Sequence, residues 1–152
     1  MMQVIAKLDR SSRARLSWIQ SFAASFGMVP RPIYGHISIC DIDAGQIESI
    51  KAALAGRKVF SVDFTSVEIL RDEKLIAAVA AREGVLEQLH EQLCPGTDWT
   101  PHTELLRDNF MDLNWIHSAM AGMFQRFTAT IARIEFMDGG TVVDALDLEG
   151  AV

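Results

Sequence analysis

The chain has 152 residues, of which 49% are hydrophobic and 22% are charged, and its formal net charge is −6. This size and composition are typical of one globular domain, residues 1–152, with a substantial core. The sequence contains no apolar run long enough to cross a bilayer, no secretory leader pattern and no basic stripe for a long nucleic acid. We therefore expect a cytoplasmic protein that binds neither a membrane nor long nucleic acid.

The spacing of apolar residues predicts five elements in the first half of the chain. In order, they are a strand at residues 3–8, a helix from Ser11 or Ser12 to about Phe26, a strand at 35–42, a helix at 44–55 and a strand from Phe60. In that last strand the apolar parity shifts by one residue near Thr65 and Ser66, which predicts a β-bulge or a bend there.

A polar turn at residues 70–74 and a strand at 75–81 follow, and the order that began with the first helix then returns. Both halves have the order helix, proline-containing loop, histidine strand, helix, strand, turn and strand. The second half comprises a helix at 83–94, a strand at 101–106, a helix at about 110–126, a strand at 128–137 and, after a hairpin-type turn, a strand at 142–148. The segments 67–70 and 134–137 also correspond, at a spacing of 67 residues. We therefore predict an internally duplicated α+β domain, with two antiparallel-sheet lobes, outer helices and a central cleft.

Each half carries one histidine near the start of a β-favouring segment that follows a proline-containing loop. These histidines are His36 and His102, 66 residues apart. Because the pKa of histidine lies near neutrality, two imidazoles facing one cleft can act as a general base and a general acid on a phosphoester. Ser38 should lie on the same strand face as His36, where its hydroxyl can donate to a phosphoryl oxygen.

These two segments resemble the motifs of the two-histidine phosphoesterase superfamily, which includes 2′-5′ RNA ligases and cyclic nucleotide phosphodiesterases. Its members are internally duplicated and carry two motifs of the form His-x-Thr/Ser-apolar. The segment His36-Ile37-Ser38-Ile39 matches the whole motif, whereas His102-Thr103-Glu104-Leu105 matches it at the histidine and the leucine. The similarity in the order of elements covers nearly the whole chain.

The resemblance implies cleavage, or reversible formation, of a phosphodiester that involves a ribose 2′-hydroxyl, with neither a metal nor another cofactor. It implies 2′,3′-cyclic phosphates, 2′-5′ linkages or a cyclic ADP-ribose phosphate as substrates, so the expected partner is a small nucleotide or an RNA end. His36 and His102 would form the acid–base pair and Ser38 would bind the phosphate. Which histidine is the base stays open.

Glu104 departs from the motif, because it stands where a phosphate-binding hydroxyl is expected. A carboxylate there repels a phosphoryl oxygen and raises the pKa of a neighbouring imidazole. Thr100 shares the predicted strand face and could supply the hydroxyl instead. The alternative function is a non-catalytic nucleotide-binding or regulatory module with a degenerate second motif.

Three residues in the loops before the histidines are further candidates for substrate binding. Tyr34 and Trp99 could stack on a nucleobase, or could simply anchor their loops. Arg31 could reach a phosphate at the mouth of the cleft, although a surface role is the ordinary one for such an arginine. A metal site of His36, His102 and Glu104 is disfavoured, because their spacing matches no metal-binding motif.

The remaining residues of interest are the two cysteines and two further histidines. Cys40 and Cys94 form no Cys-x-x-Cys pair or Cys/His cluster, so we expect buried thiols and no disulfide. His90 lies beside Glu87 in a polar helical context and is expected to be solvated. His117 is expected to be a partly buried structural residue.

Overall fold

The structure of the protein is a computed structural model. It describes residues 2–25, 35–70, 74–107 and 113–150. These ranges contain seven strands and four helices. They are β1 Met2–Leu8, α1 Arg10–Ala24, β2 His36–Ile42, α2 Ile47–Leu54, β3 Phe60–Leu70, β4 Leu75–Ala80, α3 Gly84–Leu93, β5 His102–Arg107, α4 Leu113–Met123, β6 Phe127–Asp138 and β7 Thr141–Asp147. A short 3₁₀ turn, Ala44–Gln46, precedes α2.

The predicted elements are confirmed, with boundaries shifted by at most three residues within the described ranges. The parity shift in β3 is a true bulge, because Phe64 and Ser66 lie opposite neighbouring residues of β4 and leave Thr65 extra. The predicted end of the first helix at Phe26 lies outside the described residues. Residues 71–73 of the predicted turn and residues 110–112 of the predicted fourth helix also lie outside them.

All seven strands form one antiparallel sheet in the order β2-β1-β6-β3-β4-β5, with β7 paired to β6. Strand β6 is long enough to serve two halves of this sheet: residues 127–131 pair with β3, and residues 131–138 pair with β1. In this order, β1 joins β6 to β2 in the same way as β4 joins β3 to β5. In the two halves of the sheet, β1 is therefore the structural equivalent of β4. The order of elements in the sequence predicted instead that β7 would be the equivalent of β4.

The main hydrophobic core lies between one face of the sheet and the helices. Each helix contributes buried apolar side chains at helical spacing, which is the arrangement expected of an amphipathic helix on a sheet. These side chains are Leu16 and Ile19 of α1, Ile50 and Leu54 of α2, Leu86 and Leu89 of α3, and Ile116 and Met120 of α4. The opposite face of the sheet is left for the candidate site.

Cys40 and Cys94 form a disulfide, so the expectation of two buried thiols is wrong. The two residues are 54 positions apart, and nothing in this spacing indicates that they pair. Contact arises because α3 packs against β2, which brings the end of the helix to the strand. Within the four described ranges, no helix is long and apolar enough to cross a membrane.

Candidate active site

His36 and His102 line one cleft, with a volume of about 1080 Å³. Each is the first residue of its strand, β2 and β5 respectively. These two strands stand at opposite ends of the sheet order, yet they contact each other. The sheet is therefore curled, so that its end strands and their histidines meet across a shared opening.

A β-bulge in each histidine strand controls which side chains enter this cleft. In β2, Val4 and Ile5 of the neighbouring strand lie opposite Cys40 and Ser38, so Ile39 is the extra residue. A bulge breaks the alternation of faces by one residue. As a result Ile39 and Cys40 are both buried, Ser38 and Asp41 are exposed, and all four residues contribute to the cleft lining.

The bulge in β5 stands at the equivalent place, three residues after its histidine. Ile76 and Ala77 of β4 lie opposite Leu106 and Glu104, which leaves Leu105 extra. Both leucines are buried in the core. The alternation then resumes with the opposite parity, so that Arg107 lines the cleft together with Glu104.

His36 is a half-buried imidazole whose surroundings favour its neutral form. Burial lowers the pKa of His36 below its ordinary value, and the positive form of His102 adds to this effect. The carboxylates of Glu135 and Glu104 oppose it but do not reverse it. Because the pKa falls below its usual value near 6.5, His36 is predominantly unprotonated at pH 7 and suited to accept a proton.

His102 is oriented by the backbone just before its own strand. Its Nδ1 lies 2.7 Å from the carbonyl oxygen of Thr100. A carbonyl oxygen can only accept a hydrogen bond, so Nδ1 carries the hydrogen and donates it. In the neutral ring Nε2 is then the nitrogen that can accept a proton, so we assign the exchange of a proton to Nε2. Thr100 lines the cleft, and its contact with His102 is made by its backbone carbonyl instead of its hydroxyl.

Ser38 and Glu104 both line the cleft, as their spacing from the two histidines predicted. The carboxylate of Glu104 accepts a hydrogen bond from Nε of Arg107 at 2.7 Å, and each side chain is 31% exposed. The sequence pattern does not predict Arg107 in the cleft, because simple alternation from His102 places it on the opposite face. The signal in the sequence that indicates this bulge is the adjacent pair Leu105 and Leu106, which interrupts the alternation of the two strand faces.

Trp99 lines the cleft with one face of its indole already covered. His90 stacks on it, with ring centroids 4.3 Å apart and planes inclined by 6°. The indole nitrogen of Trp99 lies 3.3 Å from the Glu87 carboxylate, to which it donates. A nucleobase in the cleft could therefore stack only on the other face of Trp99.

His90 is buried, so the expectation of a solvated residue is wrong. It follows Leu86 and Leu89 at helical spacing, on the inner face of α3, and Trp99 stacks on its ring. His117 is half-buried, and its Nε2 lies 2.7 Å from the carbonyl oxygen of Val67, to which it donates. This contact agrees with the structural role expected for His117.

Arg31 and Tyr34, the other predicted binding residues, lie outside the described residues. Within the described segments, no group of three or more His, Cys, Asp or Glu side chains is arranged to hold a metal ion. The candidate residues that the structure brings together on one cleft are His36, Ser38, Trp99, Thr100, His102 and Glu104.

Comparison with solved structures identifies the fold. Escherichia coli LigT in its apo form is 15% identical in sequence, with a TM-score of 0.60 over 97% of this chain and 96% of that chain. TT0787 of Thermus thermophilus is 15% identical, with a TM-score of 0.65 over 98% of each chain. A protein described as a phosphoesterase is 13% identical, with a TM-score of 0.55 over 97% of each chain.

The LigT structures also include complexes with 3′-AMP, NADP+, ATP and phosphate. No protein-family profile matches the present sequence, and no curated protein matches it. The predicted α+β fold is thus confirmed across nearly the whole chain. These neighbours, LigT and a phosphoesterase among them, share the fold of this chain.

Proposed function

We propose that this protein is a phosphoesterase that hydrolyses, or reversibly forms, a 2′,3′-cyclic or 2′-5′ phosphodiester in a small nucleotide or an RNA end. The observation that carries this proposal is the position of His36 and His102, which enter one cleft from the two end strands of a curled sheet. The likeness in fold to LigT, which has been crystallised with 3′-AMP and phosphate, supports a phosphoester ligand of nucleotide size.

In the proposed hydrolysis, the two imidazoles act on opposite sides of the phosphorus. His36, neutral because of its burial, accepts a proton from the attacking water as the new P–O bond forms. Protonated His102 gives the proton on Nε2 to the departing ribose oxygen as the old P–O bond breaks. The hydrogen bond from Nδ1 to the Thr100 carbonyl holds the ring during this transfer.

The remaining cleft residues would bind the substrate. The hydroxyl of Ser38 would donate to a non-bridging phosphoryl oxygen. Arg107 offsets the charge of Glu104, so that the anionic phosphate does not meet an isolated carboxylate. The nucleobase would stack on the indole of Trp99, on the face away from His90.

The proposal is tested by initial rates on 2′,3′-cyclic nucleotides and 2′-5′-linked dinucleotides. We expect H36A and H102A each to reduce the rate by about 10²-fold or more. The control is H117A, which removes a histidine that contacts Val67 instead of lining the cleft. A chelator should leave the rate unchanged, because both proton transfers are assigned to imidazoles. Wild-type turnover in both H36A and H102A would refute the proposal.

Glu104 supports one alternative, a nucleotide-binding module without turnover. Its carboxylate occupies the cleft at the position where the motif has a hydroxyl. Calorimetric binding of cyclic nucleotides by a wild-type protein that cleaves none of them would favour this alternative. If E104T then gains turnover, the missing hydroxyl is the reason for the loss.

A further inference from the structure

We propose that the Cys40–Cys94 disulfide positions one wall of the cleft, the 94–101 segment that connects α3 to β5, so that its reduction by a dithiol weakens substrate binding. The inference rests on the proposed function for its substrate. It assigns a role to the two cysteines, which take no part in the proton transfers described above.

The disulfide joins the two histidine-bearing parts of the molecule beside the cleft. Cys40 lies on β2, four residues after His36, and Cys94 directly follows α3. Both residues line the cleft, and their Cα atoms are 6.2 Å apart. The bond therefore fixes the start of the 94–101 segment to the strand that carries His36.

A series of short contacts leads from Cys94 along the segment. The hydroxyl of Thr97 donates to the Cys94 carbonyl oxygen at 2.8 Å and lies 3.2 Å from Nε2 of His90. Trp99 stacks on the same His90 ring. A shift of Cys94 would therefore be transmitted to the residues that carry the proposed base-stacking surface.

The far end of the segment orients the second histidine. The Thr100 carbonyl accepts the Nδ1 hydrogen of His102, and the carbonyl of Pro101 accepts a backbone hydrogen bond from Ala80 of β4 at 2.9 Å. Because β4 also pairs with β5, this end stays attached to the sheet without the disulfide. We therefore expect reduction to affect the Trp99 region more than His102 itself.

The other contacts of the segment are weaker restraints than a covalent bond. Thr97, Asp98 and Thr100 are exposed, and the ion pair between Arg82 and Asp98 lies in solvent, where such pairs contribute little. Gly96 adopts a left-handed backbone conformation with φ of 77°, which marks a tight turn within the segment. The disulfide is therefore the main restraint that holds the 94–101 segment in its binding conformation. Loss of this preorganisation weakens binding.

The chemistry of release is ordinary thiol–disulfide exchange. A thiolate of an added dithiol attacks one sulfur of the Cys40–Cys94 bond, forms a mixed disulfide with it and expels the other sulfur as a thiolate. The second thiol of the reagent then closes its own disulfide. In sum, the protein disulfide gains two electrons and two protons, and the dithiol loses them. Cys94 is half-buried at the cleft, so a small reagent can approach it from there.

The test compares oxidised protein, protein reduced with dithiothreitol and protein reoxidised with oxidised glutathione, with the thiol content measured in each state. We expect reduction to raise KM for a 2′,3′-cyclic nucleotide about tenfold, and kcat to fall by no more than about threefold. Reoxidation should restore KM. The double variant C40S/C94S should show the raised KM and should not respond to dithiothreitol.

Unchanged KM after verified reduction would overturn this inference and leave the proposed function intact. If oxidised protein cleaves no substrate, the proposed function fails, and the inference is then judged by calorimetric binding of the same nucleotide and by amide hydrogen exchange. Exchange at residues 97–100 should accelerate on reduction, in a protein whose circular dichroism shows that it remains folded. Equal amide exchange rates in the two redox states would contradict the inference, and this measurement needs no ligand.

Discussion

Glu104 and Arg107 form an ion pair inside the candidate cleft, with Oε1 and Nε 2.7 Å apart. A bulge at Leu105 makes this pairing possible, because it returns Arg107 to the face that carries Glu104. The negative charge that departs from the histidine motif is therefore balanced by a positive charge on the same strand. This relationship predicts opposite effects for removal of the two charges.

We expect R107Q to raise KM for a cyclic nucleotide about tenfold, because it removes a charged donor and leaves Glu104 uncompensated toward an anionic substrate. The matched variant E104Q should lower KM, because it removes negative charge from the same cleft. Steady-state kinetics of the two variants and of the double variant measure both effects. A KM that rises in E104Q and stays constant in R107Q would place the phosphate elsewhere in the cleft.

The contact between His102 and Thr100 predicts a difference between two amide substitutions. In H102N, the side-chain nitrogen stands near the position of Nδ1 and can still donate to the Thr100 carbonyl. In H102Q, the nitrogen is closer to the position of Nε2, and that hydrogen bond is lost. Both variants should lose about 10²-fold or more in kcat. We expect H102N to keep KM and thermal stability closer to wild type; equal KM and stability in the two would show that the contact is unimportant.

The lowered pKa of His36 predicts a stability that depends on pH. Burial is its main cause, so protonation is less favourable in the folded state than in the unfolded state. Above about pH 6.5 both states hold a neutral imidazole, and stability is complete. As the pH falls below that value the unfolded state takes up the proton first, and the free energy of unfolding declines until the folded pKa is passed.

Urea denaturation at several pH values between 5 and 8 measures this decline, and H36Q provides the control. The variant cannot titrate at this position, so its stability should fall less than that of the wild type between pH 7 and pH 5. Because the other histidines are common to both proteins, their contributions cancel in the comparison. Parallel curves for the two proteins would mean that burial of His36 has no effect on its titration.

The disulfide predicts a large dependence of global stability on redox state. It closes a loop with a sequence separation of 54 residues. The loop-entropy relation gives about 4 kcal/mol of stabilisation at 25 °C for a loop of that length. Urea unfolding with and without dithiothreitol measures the difference, and C40S/C94S should match the reduced protein and not respond to the reagent. A difference below about 1 kcal/mol would indicate a denatured state that is already compact.

Much of the fold could be predicted from the sequence, because apolar periodicity reports directly which face of an element is buried. The change of parity at Thr65 correctly indicated a bulge in β3. The histidine motifs also placed Ser38 and Glu104 on the cleft, since both lie two residues after a histidine. These predictions depend on residues that are close together in the chain.

The predictions that failed depend on distant contacts or on a local irregularity. The pairing of Cys40 with Cys94 follows from the packing of α3 on β2, which no spacing rule encodes. Burial of His90 requires Trp99 to fold back over the helix. Arg107 was overlooked because a bulge in β5 reverses the strand parity, and its only trace in the sequence is a pair of adjacent leucines.

The curled sheet also has a consequence for how this protein can be altered. Strands β3 and β6 pair at the middle of the sheet, through Phe64 opposite Phe127 and Val62 opposite Ala129. The distance between the two imidazoles depends on the twist accumulated over the six strands from β2 to β5. A small rotation between β3 and β6 should therefore produce a larger change in that distance. A larger side chain in place of Ala129, which is completely buried, should therefore change the size of substrate that the cleft accepts, although this position does not contact the substrate.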